Sequence, residues 1–200
     1  TQGATITHTA TIFEPWLVTT LAGSAGQTGS ADGMGNAARF NYLAGMDVDV
    51  DGNVYVSDYQ NHTIRKITPD GNVTTFAGTV GVSGYAEGLV GVARLHLPDG
   101  VAVDSENNVY VADNKNCTIR KITPNGSVTT FAGTTGVSGN DDGPLGVGKF
   151  SEPWGVAVDR STGYVYVGDW GNHTIRKITP DGSVTTFAGL AGNAGDTDEI

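Results

Sequence analysis

Basic residues are scarce in this chain, and so are cysteines and long apolar runs. Lys and Arg number 11 among 200 residues against 21 Asp and Glu, for a net charge of -10. Most of those cations sit in repeated Ile-Arg-Lys triplets. The chain therefore offers nucleic acid no basic patch and an anionic membrane no polybasic stretch. A single cysteine, Cys117, rules out an intrachain disulfide and is compatible with either redox compartment. No apolar run approaches the roughly 20 residues of a membrane helix, so no membrane insertion is expected. No secretory leader is visible and the first residue is Thr1, which points to a processed protein or a piece of a longer one. Nor does any segment carry a 3.6-residue apolar period; the stretch Asn36–Phe40 could form a single helical turn. His8, His62, His96 and His173 are scattered with no zinc spacing, and no G-x-S-x-G, P-loop or nucleophile–base set appears. No cofactor is expected.

What fills the chain instead is copying. Residues 51–78, 106–133 and 162–189 are near-repeats of one segment, ending in Val-Thr-Thr-Phe-Ala-Gly each time. Subtraction gives the period: Phe76 to Phe131 is 55, Phe131 to Phe187 is 56, and Leu21 to Phe76 is 55. A fixed period of this size predicts a repeat architecture built from one supersecondary unit. The 30 glycines and abundant Thr suit a turn-rich β protein.

Each copy predicts four short strands, rich in β-branched and aromatic residues. In the first copy they are Met46–Val50, Val54–Val56, Thr63–Ile67 and Val73–Phe76. Asp70-Gly71, Asn125-Gly126 and Asp181-Gly182 mark tight hairpins between the third and fourth. The one-residue slip in the period falls at Asp159–Tyr164, in the first hairpin, where a surface loop tolerates insertion. Four antiparallel strands per unit, repeated, describe a propeller blade.

The motifs resemble those of the NHL-repeat family: an Asn-His-Leu-like tripeptide at Asn61-His62-Thr63, Asn116-Cys117-Thr118 and Asn172-His173-Thr174, within Val-Tyr-Val-x-Asp and Ile-Arg-Lys. The lead-in loop Ala31–Phe40 is similar to the long linker of bacterial and teneurin-type NHL repeats. The resemblance covers about residues 16–195 and implies an all-β fold, a β-propeller of four-stranded blades, usually six. About three blades are expected here, near 24–78, 79–133 and 134–189, within a propeller segment 16–200. A further N-terminal strand or connector is expected in residues 1–15, where residues 4–12 alternate apolar and Thr with only His8 breaking the row. That strand could pair within the chain, end a preceding β domain, or be given to a neighbouring subunit. A lone fourth strand is expected at Trp16–Leu21. Three blades cannot close a ring, so the chain is either a fragment or a self-associating subunit.

Asp58, Asp113 and Asp169, and Arg65, Arg120 and Arg176, recur at fixed spacing. A residue present in every copy is expected to do the same structural work in each: capping a turn and pairing with the Arg. Asp47, Asp49 and Asp51 resemble the opening of a calcium loop but lack the twelfth-position ligand. Residues that differ among copies are better candidates for recognition. After the repeated Asp come Tyr59, Asn114 and Trp170; before the first strand come Tyr42, Leu97 and Trp154. Exposed aromatics suit a protein partner or a carbohydrate. Sequons at Asn61, Asn72, Asn116, Asn125 and Asn172 are candidate glycosylation sites. Cys117, in the place of His62 and His173, reads as a tolerated substitution. Among relatives of the resembling family, lyases and lactonase-like enzymes hold metals at the channel mouth, and no distinct non-repeat His or Glu set matches them here. The reading is a non-enzymatic binding or structural module, extracellular or at the cell surface, set against a propeller hydrolase or lyase with its site on the central channel.

Overall fold

The computed structural model describes residues 18–195. Thirteen strands and four single 3-10 turns make up its regular structure. A two-residue strand, β1 (Gly33–Met34), precedes blade 1, which is β2 (Leu43–Val48), β3 (Val54–Asp58), β4 (Thr63–Ile67) and β5 (Asn72–Gly78). Blade 2 is β6 (Pro98–Val103), β7 (Val109–Asp113), β8 (Thr118–Ile122) and β9 (Val128–Gly133). Blade 3 is β10 (Pro153–Val158), β11 (Val165–Asp169), β12 (Thr174–Ile178) and β13 (Val184–Ala188). Every pairing in the three sheets is antiparallel between neighbours in sequence, apart from β1, which adds to the outer edge of β5. Single bridges Gly88–Val128 and Gly143–Val184 repeat that outer rung in the other blades.

The first strand of each blade begins three residues earlier than the expected run, because a bulge between Leu43 and Met46, and its copies, carries the ladder to the repeated Asp. The expected helical hint is a single 3-10 turn, Gly35–Ala37. Of the expected strand Trp16–Leu21, Val18–Leu21 are described and form no ladder, since no neighbouring described strand pairs with them. Yet a Cβ on Gly71 would lie 2.9 Å from the Leu21 carbonyl, just as one on Gly126 would meet Phe76 and one on Gly182 would meet Phe131. Leu21 therefore runs where the outer strand of a preceding blade runs. The alternating segment 4–12 lies outside the described residues.

Blades pack face to face through alternate side chains. Tyr55, Ile64 and Ala77 of blade 1 meet Val101, Val103, Val109, Val111 and Ile122 of blade 2. Tyr110, Ile119 and Ala132 of blade 2 meet Val165, Val167 and Ile178 of blade 3. Among the described residues, only blade 2 is covered on both faces. Ile119 is fully buried while its copy Ile175 is 42% exposed; Val101 is 5% exposed while its copy Met46 is 60% exposed. The three sheets form an arc that does not close among the described residues. The inner strands β2, β6 and β10 approach so closely that a Cβ on Gly45 would lie 2.7 Å from Gly100 Cα, and one on Gly100 would lie 2.3 Å from the Trp154 carbonyl.

Candidate functional site

The repeated Asp and Arg are buried latches. Arg65, Arg120 and Arg176 are completely buried, as are Asp58, Asp113 and Asp169. Arg65 Nη1 donates to Asp58 Oδ2 (2.7 Å) and to the Arg39 carbonyl; Nη2 donates to Asp32 Oδ1 (2.6 Å) and the Ala31 carbonyl. Arg120 and Arg176 repeat this with Asp113 and Asp169 at 2.9 and 3.0 Å, and with the carbonyls of Ala86 and Asp141. In each case Nε finds no oxygen, and the guanidinium lies over a ring instead: Phe40, Tyr85 or Phe150. The latch fastens each blade to the loop that leads into it.

The same carboxylates shape one end of the arc. Asp58 Oδ1 accepts from Asn41 N–H, Asp113 Oδ1 from His96 N–H and Asp169 Oδ1 from Ser151 N–H, each at 2.7 Å. Immediately after each Asp the chain makes a 3-10 turn, and that turn is tied to the residues before the inner strand. Tyr59 N–H donates to the Tyr42 carbonyl, Lys115 N–H to His96 and Gly171 N–H to Ser151. Tyr42, Leu97 and Glu152 all adopt positive φ, at 62°, 52° and 52°. So do His62, Cys117 and His173, the residues that end the 3-10 turns. Because the strain recurs in every copy, it belongs to the turn and not to one site's chemistry.

These turns bring the variable residues into one groove of about 790 Å³. Tyr42, Tyr59, Asn114, Trp154 and Trp170, singled out by their variation, all line it. Tyr42 and Tyr59 pack with ring centroids 5.5 Å apart, and Trp154 and Trp170 at 5.9 Å, edge to face. Lys115 and Glu152 form an ion pair across the rim between blades 2 and 3. Leu97 is half-buried outside the groove lining. One placement differs from expectation: Trp154 lies inside β10, not before it. The residue in register with Tyr42 and Leu97 is Glu152, and those in register with Trp154 are Ala44 and Asp99.

Asp99 is the residue that sequence reasoning missed. It is only 8% exposed, lines the groove, and no cation among the described residues pairs with it. Burial pushes its carboxyl up to about 6, against a smaller opposing effect of the Trp154 indole N–H. The signal was present: Ala, Asp and Trp alternate one residue before an unvarying Gly. Folding holds a proton on Asp99 more tightly than the unfolded chain does. Its charge therefore works against folding above about pH 6, and that penalty vanishes below the ordinary carboxylate value. Asp99→Asn is expected to raise the denaturation midpoint at pH 7.5, by at most about 3 kcal/mol, and to leave it unchanged near pH 3.5. An equal effect at both pH values would show that the carboxylate is not strained.

Residues 40–67, 95–122 and 150–178 match the family model described as NHL repeat. The chain carries three NHL repeats. It is 29% identical over 170 residues to NHL repeat-containing protein 2 of Bos taurus, covering 79% of this chain and 23% of that protein. It is 28% identical over 191 residues to Teneurin-m of Drosophila melanogaster, covering 82% of this chain and 7% of that protein. Among solved structures, an auxiliary nutrient binding protein from Bacteroides thetaiotaomicron superimposes with a TM-score of 0.62 at 27% identity, over 70% of this chain and 36% of that one. The chain thus spans less than a quarter of those two curated relatives.

The NHL tripeptide has a physical reason in this fold. Asn61, Asn116 and Asn172 are buried, and each Nδ2 donates to the repeated Asp and to a loop carbonyl: Gly29, Gly84 or Gly139. Those three amides are consumed by the NHL turn, so a glycan could be attached there only by breaking it. Asn72 and Asn125 lie at the hairpins, half-buried and exposed. Cys117 occupies the middle position of its tripeptide as a buried free thiol, with burial pushing its pKa up, which makes it a poor nucleophile. Two of the calcium-like trio are otherwise engaged. Asp49 Oδ1 accepts from the N–H groups of Asp51 and Asn53, closing the first hairpin, and Asp47 Oδ2 accepts from Val103 N–H in the next blade. No group of three or more metal-ligating side chains occurs among the described residues.

Proposed function

We propose that this chain is part of a non-enzymatic binding module, displayed outside the cell, whose groove docks a partner on Tyr42, Tyr59, Asn114, Trp154 and Trp170. One observation carries the reading: the repeats commit their invariant Asp and Arg to buried latches and gather most of their divergent turn residues in one aromatic-lined groove. Its volume of about 790 Å³ falls within the range of ligand sites. Likeness to Teneurin-m and to a nutrient binding protein supports a surface or secreted setting, in which Asn72 and Asn125 are the sequons able to carry glycan. The open faces of blades 1 and 3 support association with further blades, either in a longer chain or in a second copy. The mass by light scattering after size exclusion separates these, since a dimer requires the second copy.

Immobilised chain should capture a protein, peptide or oligosaccharide from a defined panel, and the Trp154→Ala/Trp170→Ala double variant should lose at least about tenfold in affinity, as removal of central aromatic anchors does. Retained affinity would place the contact elsewhere. The rival reading, a hydrolase or lyase on the channel, draws on Asp99, whose carboxyl is pushed up to about 6 in the groove. Turnover of a lactone or a lyase substrate that is lost in Asp99→Asn would favour it.

A further inference from the structure

We propose that the groove selects a cationic side chain, an arginine or lysine of a partner protein, held between the Trp154–Trp170 pair and Asp99. This deepens the docking reading above and rests on it.

Three observations converge. The first is a buried carboxylate without a counter-charge. Asp99 is 8% exposed, lines the groove and makes no ion pair among the described residues. The cation nearest in kind, Lys115, is already paired with Glu152 on the rim. A buried carboxylate without a counter-charge destabilises a fold unless something supplies one, and the Trp154 indole N–H offsets only part of the effect of burial on Asp99. The second is the aromatic wall. Trp154 and Trp170 pack edge to face at 76°, both are about half exposed and both line the groove, so indole surface is open to it. An ammonium or guanidinium is drawn to such faces by the ring quadrupole, Trp being the best of them. The third is charge at a distance: the chain carries a net -10, which steers cations toward it.

A neutral sugar would stack on the same indoles but would leave Asp99 uncompensated. An acidic partner would meet Asp99 and Glu152 as like charges. The cation satisfies the carboxylate and the rings together. A protein side chain is favoured over a free amine because the groove continues past this point to Tyr42 and Tyr59, giving a peptide backbone apolar surface on either side of its charged residue.

The test is a protein-detected NMR titration of the intact chain with four probes: acetyl-Gly-Arg-Gly-amide, its citrulline counterpart, tetramethylammonium and a neutral tetrasaccharide. The arginine peptide should shift the Trp154 and Trp170 indole N–H signals and bind about tenfold more tightly than citrulline, the weight of one charge and cation–π contact. Asp99→Asn, expected to fold at least as stably as the parent, should erase that preference while retaining weak binding. Tetramethylammonium binding as tightly as the peptide would overturn the protein side chain as the source. Equal binding of citrulline or the sugar would overturn cation selection and leave the docking groove standing. No shift at either indole with any probe would overturn both.

Discussion

Asp113→Asn should unfold the middle blade. The substitution keeps the shape of the side chain and removes one charge from a pair in which both partners are completely buried and 2.9 Å apart. Arg120 would then be a buried guanidinium with no carboxylate in ion-pair contact, Glu87 acting on it only at longer range, and breaking a buried pair in this way costs about 3–5 kcal/mol. Domains of this size are stable by about 5–15 kcal/mol in all, so most of the margin would go. Blade 2 is the decisive place to look because it is covered on both sides, and its collapse would expose the cores shared with blades 1 and 3. Arg120→Lys should fail nearly as badly. A single ammonium cannot reach the Asp113 carboxylate and the carbonyls of Arg94 and Ala86 together, as the planar fork does. The control is the exposed pair: Lys115→Ala breaks the bridge to Glu152 and should move the urea midpoint by no more than about 1 kcal/mol. If Asp113→Asn and Lys115→Ala shift the midpoint equally, the buried latch does not hold the blade.

The latch also explains how much of this molecule could be read from its sequence. Strand identity was legible because each blade repeats β-branched runs between glycine-bearing turns, and three copies vote on every position. The roles of Asp58 and Arg65 followed from their recurrence, since chemistry at one site does not require three identical Asp–Arg pairs. The start of β2 was not legible. Leu43-Ala44-Gly45 lacks β-branched residues, and these positions join the ladder through the bulge and through backbone contact with the next inner strand. That misplacement hid Asp99: with Trp154 set beside Tyr42 and Leu97, the true column of Ala44, Asp99 and Trp154 was split. The convergence of Tyr42 with Tyr59 was beyond pattern reading, because it depends on the Tyr59 N–H bond to the Tyr42 carbonyl, 17 residues earlier.

Gly100 and Gly155 should respond in opposite ways to the same substitution. In Gly100→Ala the new methyl carbon would lie 2.3 Å from the Trp154 carbonyl and 2.7 Å from Val156 N, backbone atoms that cannot swing aside. The inner strands β6 and β10 would have to separate, and overpacking of this kind costs about 1–3 kcal/mol or more. The groove should widen with them, since Gly100 and Trp154 both line it. Gly155 is the same residue of the next blade, and a Cβ there meets nothing within 4 Å. Gly155→Ala should therefore leave the urea midpoint of the 200-residue chain within about 0.5 kcal/mol of the parent, as an unencumbered surface change does. Where a further blade docks on blade 3, its inner strand would take up the spacing that links Gly45 to Gly100 and Gly100 to β10. Gly155→Ala should then reproduce the damage of Gly100→Ala, as a fall in assembled mass or in the stability of a longer chain. Identical behaviour of Gly155→Ala with and without further blades would mean that the arc is not extended by this packing. Loss of stability in the 200-residue chain alone would mean that the third blade's inner strand is already covered.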